Sequence, residues 1–126
     1  MKSRRLSAQQ QKIQNQLDII SARFQAYSAA GDFPAAMRAS LKAHKLIPQA
    51  IEPLSDAASM AVKSGLWEEG IRYAKQALKL DERHINAYDA LSHAYDGLAD
   101  WANCARYGLR ALQLRDDYYG KTQVVL

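Results

Sequence analysis

The chain has 126 residues, of which 17 are lysine or arginine and 13 are aspartate or glutamate, so its formal net charge is +4. This length predicts one domain, and a single cysteine excludes an internal disulfide and fits a reducing, cytoplasmic compartment. No apolar run follows the basic start and none is long enough to cross a bilayer, so we expect neither a signal peptide nor a membrane partner.

The first 16 residues are interpreted as a basic helical extension. Ser7 and Gln10 have the spacing of a capping box, in which each side chain accepts a hydrogen bond from the other residue's backbone N–H. Apolar residues then recur every three or four positions, which predicts one long helix: Ile13, Leu17, Ile20, Phe24 and Tyr27. Residues 1–30 carry five cations and one carboxylate, so the net positive charge lies here. This charge fits an arm that binds anions or nucleic acid, and it fits a solvated helix start, which we favour.

Five further helices are predicted, over residues 31–48, 50–64, 67–80, roughly 86–97 and 100–114. Pro34 falls in the first turn of its helix, where a missing N–H costs nothing. Asp100 is the expected N-cap of the last helix. Gly31 and Gly65 lie between paired helices, where a positive φ is expected, and Ala99 takes the same position later in the chain.

The last two predicted helices recur upstream at a fixed spacing of 34 residues. Subtracting this period from Trp101 gives Trp67, and subtracting it again gives Phe33. Subtracting the same period also aligns identical residues at three other positions: Ala111, Ala77 and Ala43; Leu114, Leu80 and Leu46; and Arg106, Arg72 and Arg38. A helical period of this length with these residues resembles the tetratricopeptide repeat, and the resemblance covers residues 17–117.

The resemblance implies an all-α fold, a right-handed superhelical stack of antiparallel helix pairs with about six or seven helices. Its repeats would span 17–50, 51–84 and 85–117, leaving 118–126 as a tail or as the start of a further repeat. Arg23 replaces a usual leucine and Phe24 a usual small residue, so the first repeat is the least regular. Cys104 takes a position at which paired helices touch, and we interpret it as a core cysteine.

No catalytic or metal-binding pattern is recognised, so we expect no enzyme activity, no cofactor and no metal site. His44 and His84 lie in different repeats, with no cysteine or carboxylate at ligand spacing. Asp89, His93 and Asp96 lie close together on one helix. This trio could hold a metal or exchange protons, although such a group is more commonly a polar patch on a helix face.

In proteins of this family the first helices of successive repeats line a concave groove that holds a peptide, so the resemblance places the binding site there. Carried over position by position, the groove residues are Asp18, Ser21, Gln25 and Ser28; Glu52, Ser55, Ser59 and Lys63; and Asn86, Asp89, His93 and Asp96. The remaining groove positions hold Ala29, Val62 and Gly97. The groove is expected to be mildly acidic, with its acidic residues in the third repeat. The outer face should be basic because of the recurring arginines, although charge there is commonly only solvation.

Two classes of function follow from the resemblance. The first is a non-catalytic scaffold that binds a peptide or protein segment in the groove. The second is an accessory module of a larger enzyme, for example a glycosyltransferase, which a catalytic domain beyond Leu126 would reveal. A weaker third interpretation is anion or nucleic-acid binding through Arg4, Arg5 and the outer face, so nucleic acid is not the expected partner.

Charge in the groove predicts which peptides it prefers. Some similar three-repeat domains hold the C-terminal carboxylate of chaperone peptides with lysine, arginine and asparagine side chains. The corresponding positions here are Ser21, Gln25, Asp56, Asn86 and Ala90. None is a cation and Asp56 adds a negative charge, so the charge-assisted hydrogen bonds to a peptide carboxylate would be lost. We therefore expect neutral or basic segments as partners.

Two predictions concern how the second helices pack. Trp67 and Trp101 hold equivalent positions, so both are expected to pack against neighbouring helices. The last helix also carries Ala105, Leu109 and Leu112, a face that would favour self-association unless residues 118–126 cover it.

Overall fold

The computed structural model describes residues 5–119 and contains, over that range, six α-helices and no strand. The helices are α1 (Ala8–Ala29), α2 (Phe33–Leu46), α3 (Glu52–Lys63), α4 (Trp67–Leu80), α5 (Ile85–Gly97) and α6 (Trp101–Tyr118). The all-α prediction is confirmed. The last helix extends one turn beyond the predicted end at Leu114, and the tail that follows Tyr119 lies outside the described residues, as do Lys2 and Arg4.

The N-terminal extension and the first helix of the first pair form one continuous helix, α1. Its start is the predicted capping box: Gln10 N–H donates to Ser7 Oγ at 3.1 Å, and Ser7 N–H donates to Gln10 Oε1 at 2.8 Å. These two bonds satisfy backbone donors that a helix start otherwise leaves unpaired. No residue of α1 is buried, so its stability depends on its own backbone and on one partly covered face.

The turn inside each helix pair is the same structure repeated three times at the predicted period. Gly31, Gly65 and Ala99 have φ values of 76°, 74° and 57°, and each ends the first helix of its pair. One residue further on, a backbone N–H donates at 2.9 Å to the carbonyl five residues back, at Asp32, Leu66 and Asp100. This is the hydrogen bond of a Schellman C-cap, which glycine favours because it lacks a Cβ. Ala99 adopts the same left-handed conformation with a Cβ, so its turn is the most strained.

The six helices stack in chain order, each packing on the next. The first helices α3 and α5 also approach each other, whereas no second helix approaches another second helix within the described range. The first helices therefore lie on the inner side of the stack, and the concave surface runs across α3 and α5. The first pair departs from this arrangement, because no Cα atom of α1 lies within 8 Å of a Cα atom of α3.

The core is built mainly from alanine, which lets helix backbones approach closely. Eight alanines have no exposed surface: Ala36, Ala57, Ala58, Ala61, Ala74, Ala77, Ala87 and Ala94. Leu91 and Leu114 are the largest side chains that are fully buried among the described residues. A stacked aromatic group joins α5 to α6, with Tyr95 and Tyr107 ring centroids 5.6 Å apart. Because so many core side chains are small, the few large ones account for much of the apolar area that each pair buries.

In the first two pairs, the aromatic residue that opens the second helix packs on the end of the next pair's first helix. Phe33 lies beneath the Lys63 ammonium, with the Nζ atom 5.4 Å from the ring centroid. The Trp67 indole lies so close to Gly97 that a Cβ added there would be 2.3 Å from the ring. Trp101 is 64% exposed, so the prediction that both tryptophans pack on neighbouring helices is wrong for Trp101. Among the helices of residues 5–119, α6 packs only against α5, so no following helix of this range covers the Trp101 ring.

Cys104 also departs from expectation, since it is partly exposed rather than buried in the core. It lies on α6, which packs against α5 and against no other described helix. Ser92 Oγ donates to the Cys104 carbonyl at 2.9 Å, which ties α5 to α6 at this point. Among residues 5–119, no helix has the combination of length and apolar character needed to cross a bilayer.

Candidate functional site

The concave surface contains a cavity of about 450 Å³, here called the groove cavity, between α3 and α5. Seven of the predicted groove residues line it: Ser55, Ser59, Val62, Lys63, Asn86, Asp89 and His93. Asp56 and Ala90 complete the lining. The groove cavity therefore combines hydroxyl, amide, imidazole and charged groups from two consecutive helix pairs, which suits hydrogen bonding to an extended chain.

The charged and polar groups of the third pair are largely engaged within the protein. Arg115 of α6 donates to the carboxylate of Asp89 in a partly buried ion pair. The His93 ring pairs through Nδ1 with the Asp89 carbonyl at 2.8 Å. Since a carbonyl only accepts, Nδ1 carries the proton in this arrangement. His84 Nε2 and Ser55 Oγ are 2.9 Å apart, a contact that joins the start of the third pair to α3.

The acidic part of the groove lies on α3 rather than in the third repeat, which corrects the expected charge distribution. Asp89 is neutralised by Arg115, and Asp96 is exposed and does not line the groove cavity. Asp56 lines the cavity and lies near Glu52, one helical turn earlier. Burial raises the pKa of the Asp56 carboxyl, the negative charge of Glu52 raises it further, and His84 partly opposes both effects.

The groove residues of α1 do not join those of α3 and α5. Asp18, Gln25 and Ser28 are absent from the lining of the groove cavity, and Asp18 accepts a hydrogen bond from Gln14 at 2.9 Å. The cause is the gap between α1 and α3, which interrupts the concave surface between the first and the second pair. Ser21 and Glu52 instead line a separate opening in that gap.

This second opening, here called the α1–α3 cavity, has a volume of about 210 Å³. Its apolar lining comes from three helices and the turn after α2: Leu17, Ile20, Phe24, Ala43, Ile47 and Pro53. Ser21, Ser40, Glu52 and Asp56 supply its polar groups. Asp56 lines both cavities, so the two openings meet at this residue.

Sequence reasoning missed Asp56 and Ala90 as groove residues, although it identified both as positions used by carboxylate-binding relatives. They follow Ser55 and Asp89 directly on the first helices, and the side chains of α3 and α5 at those positions lean into the same cavity. The repeat pattern could have identified both residues. A groove between two helices is lined by more than one row of side chains from each helix, so the positions next to Ser55 and Asp89 also face it.

The candidate trio of Asp89, His93 and Asp96 does not converge on a point. The Asp89 carboxylate faces Arg115, the His93 ring turns back to its own helix backbone, and Asp96 lies one turn further on. No group of three or more histidine, cysteine or acidic side chains in residues 5–119 has the geometry to hold a metal ion. The trio is a polar patch in this structure.

The recurring arginines Arg38, Arg72 and Arg106 are all exposed, as expected for an outer face. Two of them lie over the aromatic ring of the next residue, with the guanidinium carbon of Arg72 5.1 Å from the Tyr73 ring centroid and that of Arg106 5.7 Å from Tyr107. These contacts hold the side chains along the helix surface.

Replacing Asp56 with asparagine is expected to stabilise the protein at neutral pH. The pKa of the Asp56 carboxyl is higher in the folded than in the unfolded protein, so the folded state is favoured while this group is protonated. This stabilisation is lost as the pH rises through the folded-state pKa, and asparagine, which does not ionise, avoids the loss. The gain should be at most about 0.5 kcal/mol, because the cavity wall desolvates the carboxyl only in part and the residue remains exposed, so solvent screens the effect. Thermal unfolding at pH 7 and near pH 3 measures it, and the difference between variant and wild type should disappear in acid. A lower melting temperature at pH 7 would contradict the assignment.

Comparison with known proteins identifies the fold. No protein-family model and no curated protein matches the sequence. The TPR domain of Arabidopsis OM64 superposes with a TM-score of 0.74 and 16% identity, covering 81% of this chain and 84% of that chain. The pHsp70 complex of the TPR2B domain of yeast Sti1 gives a TM-score of 0.76 and 18% identity, covering 83% and 84%. An O-GlcNAc transferase mutant from Thermobaculum terrenum gives 0.72 and 18%, covering 94% of this chain but 21% of that chain.

Proposed function

We propose, from the premise that this chain has the fold of a tetratricopeptide-repeat domain, that it is a non-catalytic interaction module. Its groove would hold a neutral or basic segment of a partner protein. The observation that supports this most directly is the groove cavity, about 450 Å³ in volume and lined jointly by α3 and α5. Ser59 and Asn86 there can donate to and accept from a peptide backbone.

The charge preference rests on which ionic groups in the groove are already engaged. Arg115 neutralises Asp89, and Lys63 is drawn over the Phe33 ring. Asp56 lines the groove cavity and Glu52 lines the adjoining α1–α3 cavity, so α3 supplies acidic groups at both openings. A lysine or arginine of a bound segment would gain from these carboxylates, whereas an acidic C-terminal tail would be repelled.

Isothermal titration calorimetry with three matched peptides tests this proposal. The peptides share one sequence and differ only in carrying lysine, serine or glutamate at two charged positions. We expect the lysine peptide to bind about tenfold more tightly than the glutamate peptide, because opposite charges replace like charges at the groove rim. A glutamate peptide that binds as tightly as the lysine peptide would contradict the charge preference, and a panel without measurable binding would contradict the function.

A matched pair of variants locates the binding surface. Changing Glu52 and Asp56 together to glutamine and asparagine should remove the preference for lysine. Changing Glu68 and Glu69 of α4 together to glutamine removes the same charge from the opposite helix of the pair and should leave the preference intact. Equal loss in both double variants would mean that binding follows net charge rather than the groove.

Two alternatives retain specific support. The fold likeness to a segment of an O-GlcNAc transferase supports an accessory role in a larger enzyme, and the full-length reading frame decides it.

Self-association is favoured by the exposed face of α6, where Trp101, Leu109 and Leu112 are 64%, 59% and 58% exposed. Sedimentation velocity over a range of protein concentrations tests it, and a mass that stays monomeric throughout would reject it.

A further inference from the structure

The α1–α3 cavity exists because the first helix pair is spread from the second. The corresponding helices of the next two pairs, α3 and α5, approach each other, while α1 and α3 do not. Phe24 occupies the position that Ala58 and Ser92 hold in the other pairs, and its ring lines the α1–α3 cavity. Ala58 is fully buried and belongs to the core that joins α3 and α4 to α5, so a small residue at this position accompanies the close approach of α3 to α5. A phenyl ring there occupies the space that close approach would need.

The cavity is apolar on its walls and contains one buried hydroxyl that is not satisfied. Ser40 is 3% exposed and lines the cavity, and its Oγ has no hydrogen-bond partner among the described residues. The other pairs place Ala74 and Gly108 at this position, so the hydroxyl is particular to the first pair. Native proteins rarely leave a buried hydroxyl unpaired, and rotation of the Ser40 side chain toward the cavity would let a polar atom of a bound group satisfy it.

The mouth of the cavity is acidic and opens onto the groove. Glu52 and Asp56 both belong to its lining, and Asp56 also lines the groove cavity. A chain that lies along α3 would therefore pass both openings within a few residues. Its basic side chain would meet the carboxylates, and a neighbouring apolar side chain would be positioned over the α1–α3 cavity.

We propose that the α1–α3 cavity is the anchor subsite of the groove, and that it takes one large aliphatic or aromatic side chain next to a basic residue of the bound peptide. This inference rests on the proposed function and adds a specificity rule to it. The occupant matches the subsite in two respects: the volume of about 210 Å³ with apolar walls accepts a leucine or phenylalanine side chain, and the acidic mouth accepts the adjacent cation.

A double-mutant cycle between peptide and protein tests the subsite. The probes are the lysine peptide with leucine next to its lysine and the same peptide with alanine at that position. On the wild-type protein the alanine peptide should bind about tenfold more weakly, since a side chain lost from an apolar pocket costs at least that factor. On Ala43→Leu, which fills the cavity from its wall, the two peptides should bind equally.

Three results would overturn the subsite, and they separate it from the proposed function. Equal binding of both peptides to the wild-type protein removes the subsite while the groove function stands. A tenfold difference that persists in a folded Ala43→Leu variant shows that the leucine binds elsewhere. Absence of binding by either peptide to the wild-type protein removes both proposals together.

Amide chemical shifts in isotope-labelled wild-type protein give a second readout that does not depend on the variant folding. Addition of the leucine peptide should shift the amides of Phe24, Ser40 and Ile47, and addition of the alanine peptide should shift them much less. Equal shifts with both peptides would overturn the subsite. Shifts that appear with protein concentration alone would assign the cavity to a second copy of the chain and would also overturn it.

Discussion

Replacing Trp67 with alanine is expected to lower the free energy of unfolding by about 3 kcal/mol. The indole lies against the backbone of Gly97 and joins the start of α4 to the end of α5, so its loss leaves a void between two helix pairs. Stability in a repeat stack depends on such contacts between neighbours. Urea unfolding followed by far-UV circular dichroism measures the change.

Trp101→Ala is the matched control for Trp67→Ala. Both residues open a second helix at the same position of the 34-residue period, and both substitutions remove the same atoms. Because Trp101 is 64% exposed, its replacement should change the free energy of unfolding by less than about 0.5 kcal/mol. A cost for Trp101→Ala equal to that of Trp67→Ala would show that the exposed ring is covered in solution.

Leu91→Ala is expected to cost about 3 kcal/mol of stability. The side chain is 0% exposed in a core that otherwise consists largely of alanines, so few neighbours are long enough to fill the space it leaves. Leu112→Ala carries the same change on the exposed side of α6, where the side chain is 58% exposed, and should cost less than about 0.5 kcal/mol.

Chemical denaturation of both leucine variants at one pH gives the comparison. Both substitutions lie inside a helix, so the change in helix propensity is the same for both. The difference between the two losses of unfolding free energy therefore reports the burial of the side chains. Two equal values, large or small, would contradict the assignment of Leu91 to the core and Leu112 to the surface.

Local signals explain why the helices and their turns were predictable. The capping box at Ser7, the caps at Asp32 and Asp100 and the left-handed positions at Gly31 and Gly65 each depend on a few neighbouring residues. Each of these features depends on residues within about one helical turn of each other. The 34-residue period then places the same turn between the helices of every pair. The fold followed from these signals because a helix pair cannot bury its apolar face without a neighbour.

The candidate site was predictable only in part. Seven of the fifteen predicted groove residues line one cavity, because the repeat register fixes which face of α3 and of α5 points inward. The residues of α1 do not join them, since a single bulky residue, Phe24, accompanies the separation of α1 from α3. The position of a residue in the repeat determines the direction of its side chain. The distance between two helices, however, depends on the sizes of all the side chains between them.

The sequence by itself determined the helix pairs, their turns, the period and the inner and outer faces, all of which are properties of short segments or of their repetition. Only the tertiary structure decided the charge of the groove and the exposure of the two tryptophans. The Asp89 charge is neutralised because Arg115, 26 residues later in the chain, pairs with it from the adjacent helix α6. Trp67 packs against the end of α5 and is partly buried, whereas Trp101 is 64% exposed, although the two hold equivalent positions, because burial depends on what lies opposite a side chain. Charge pairing and burial act through space, so residues at the same repeat position acquire different environments when their neighbours differ.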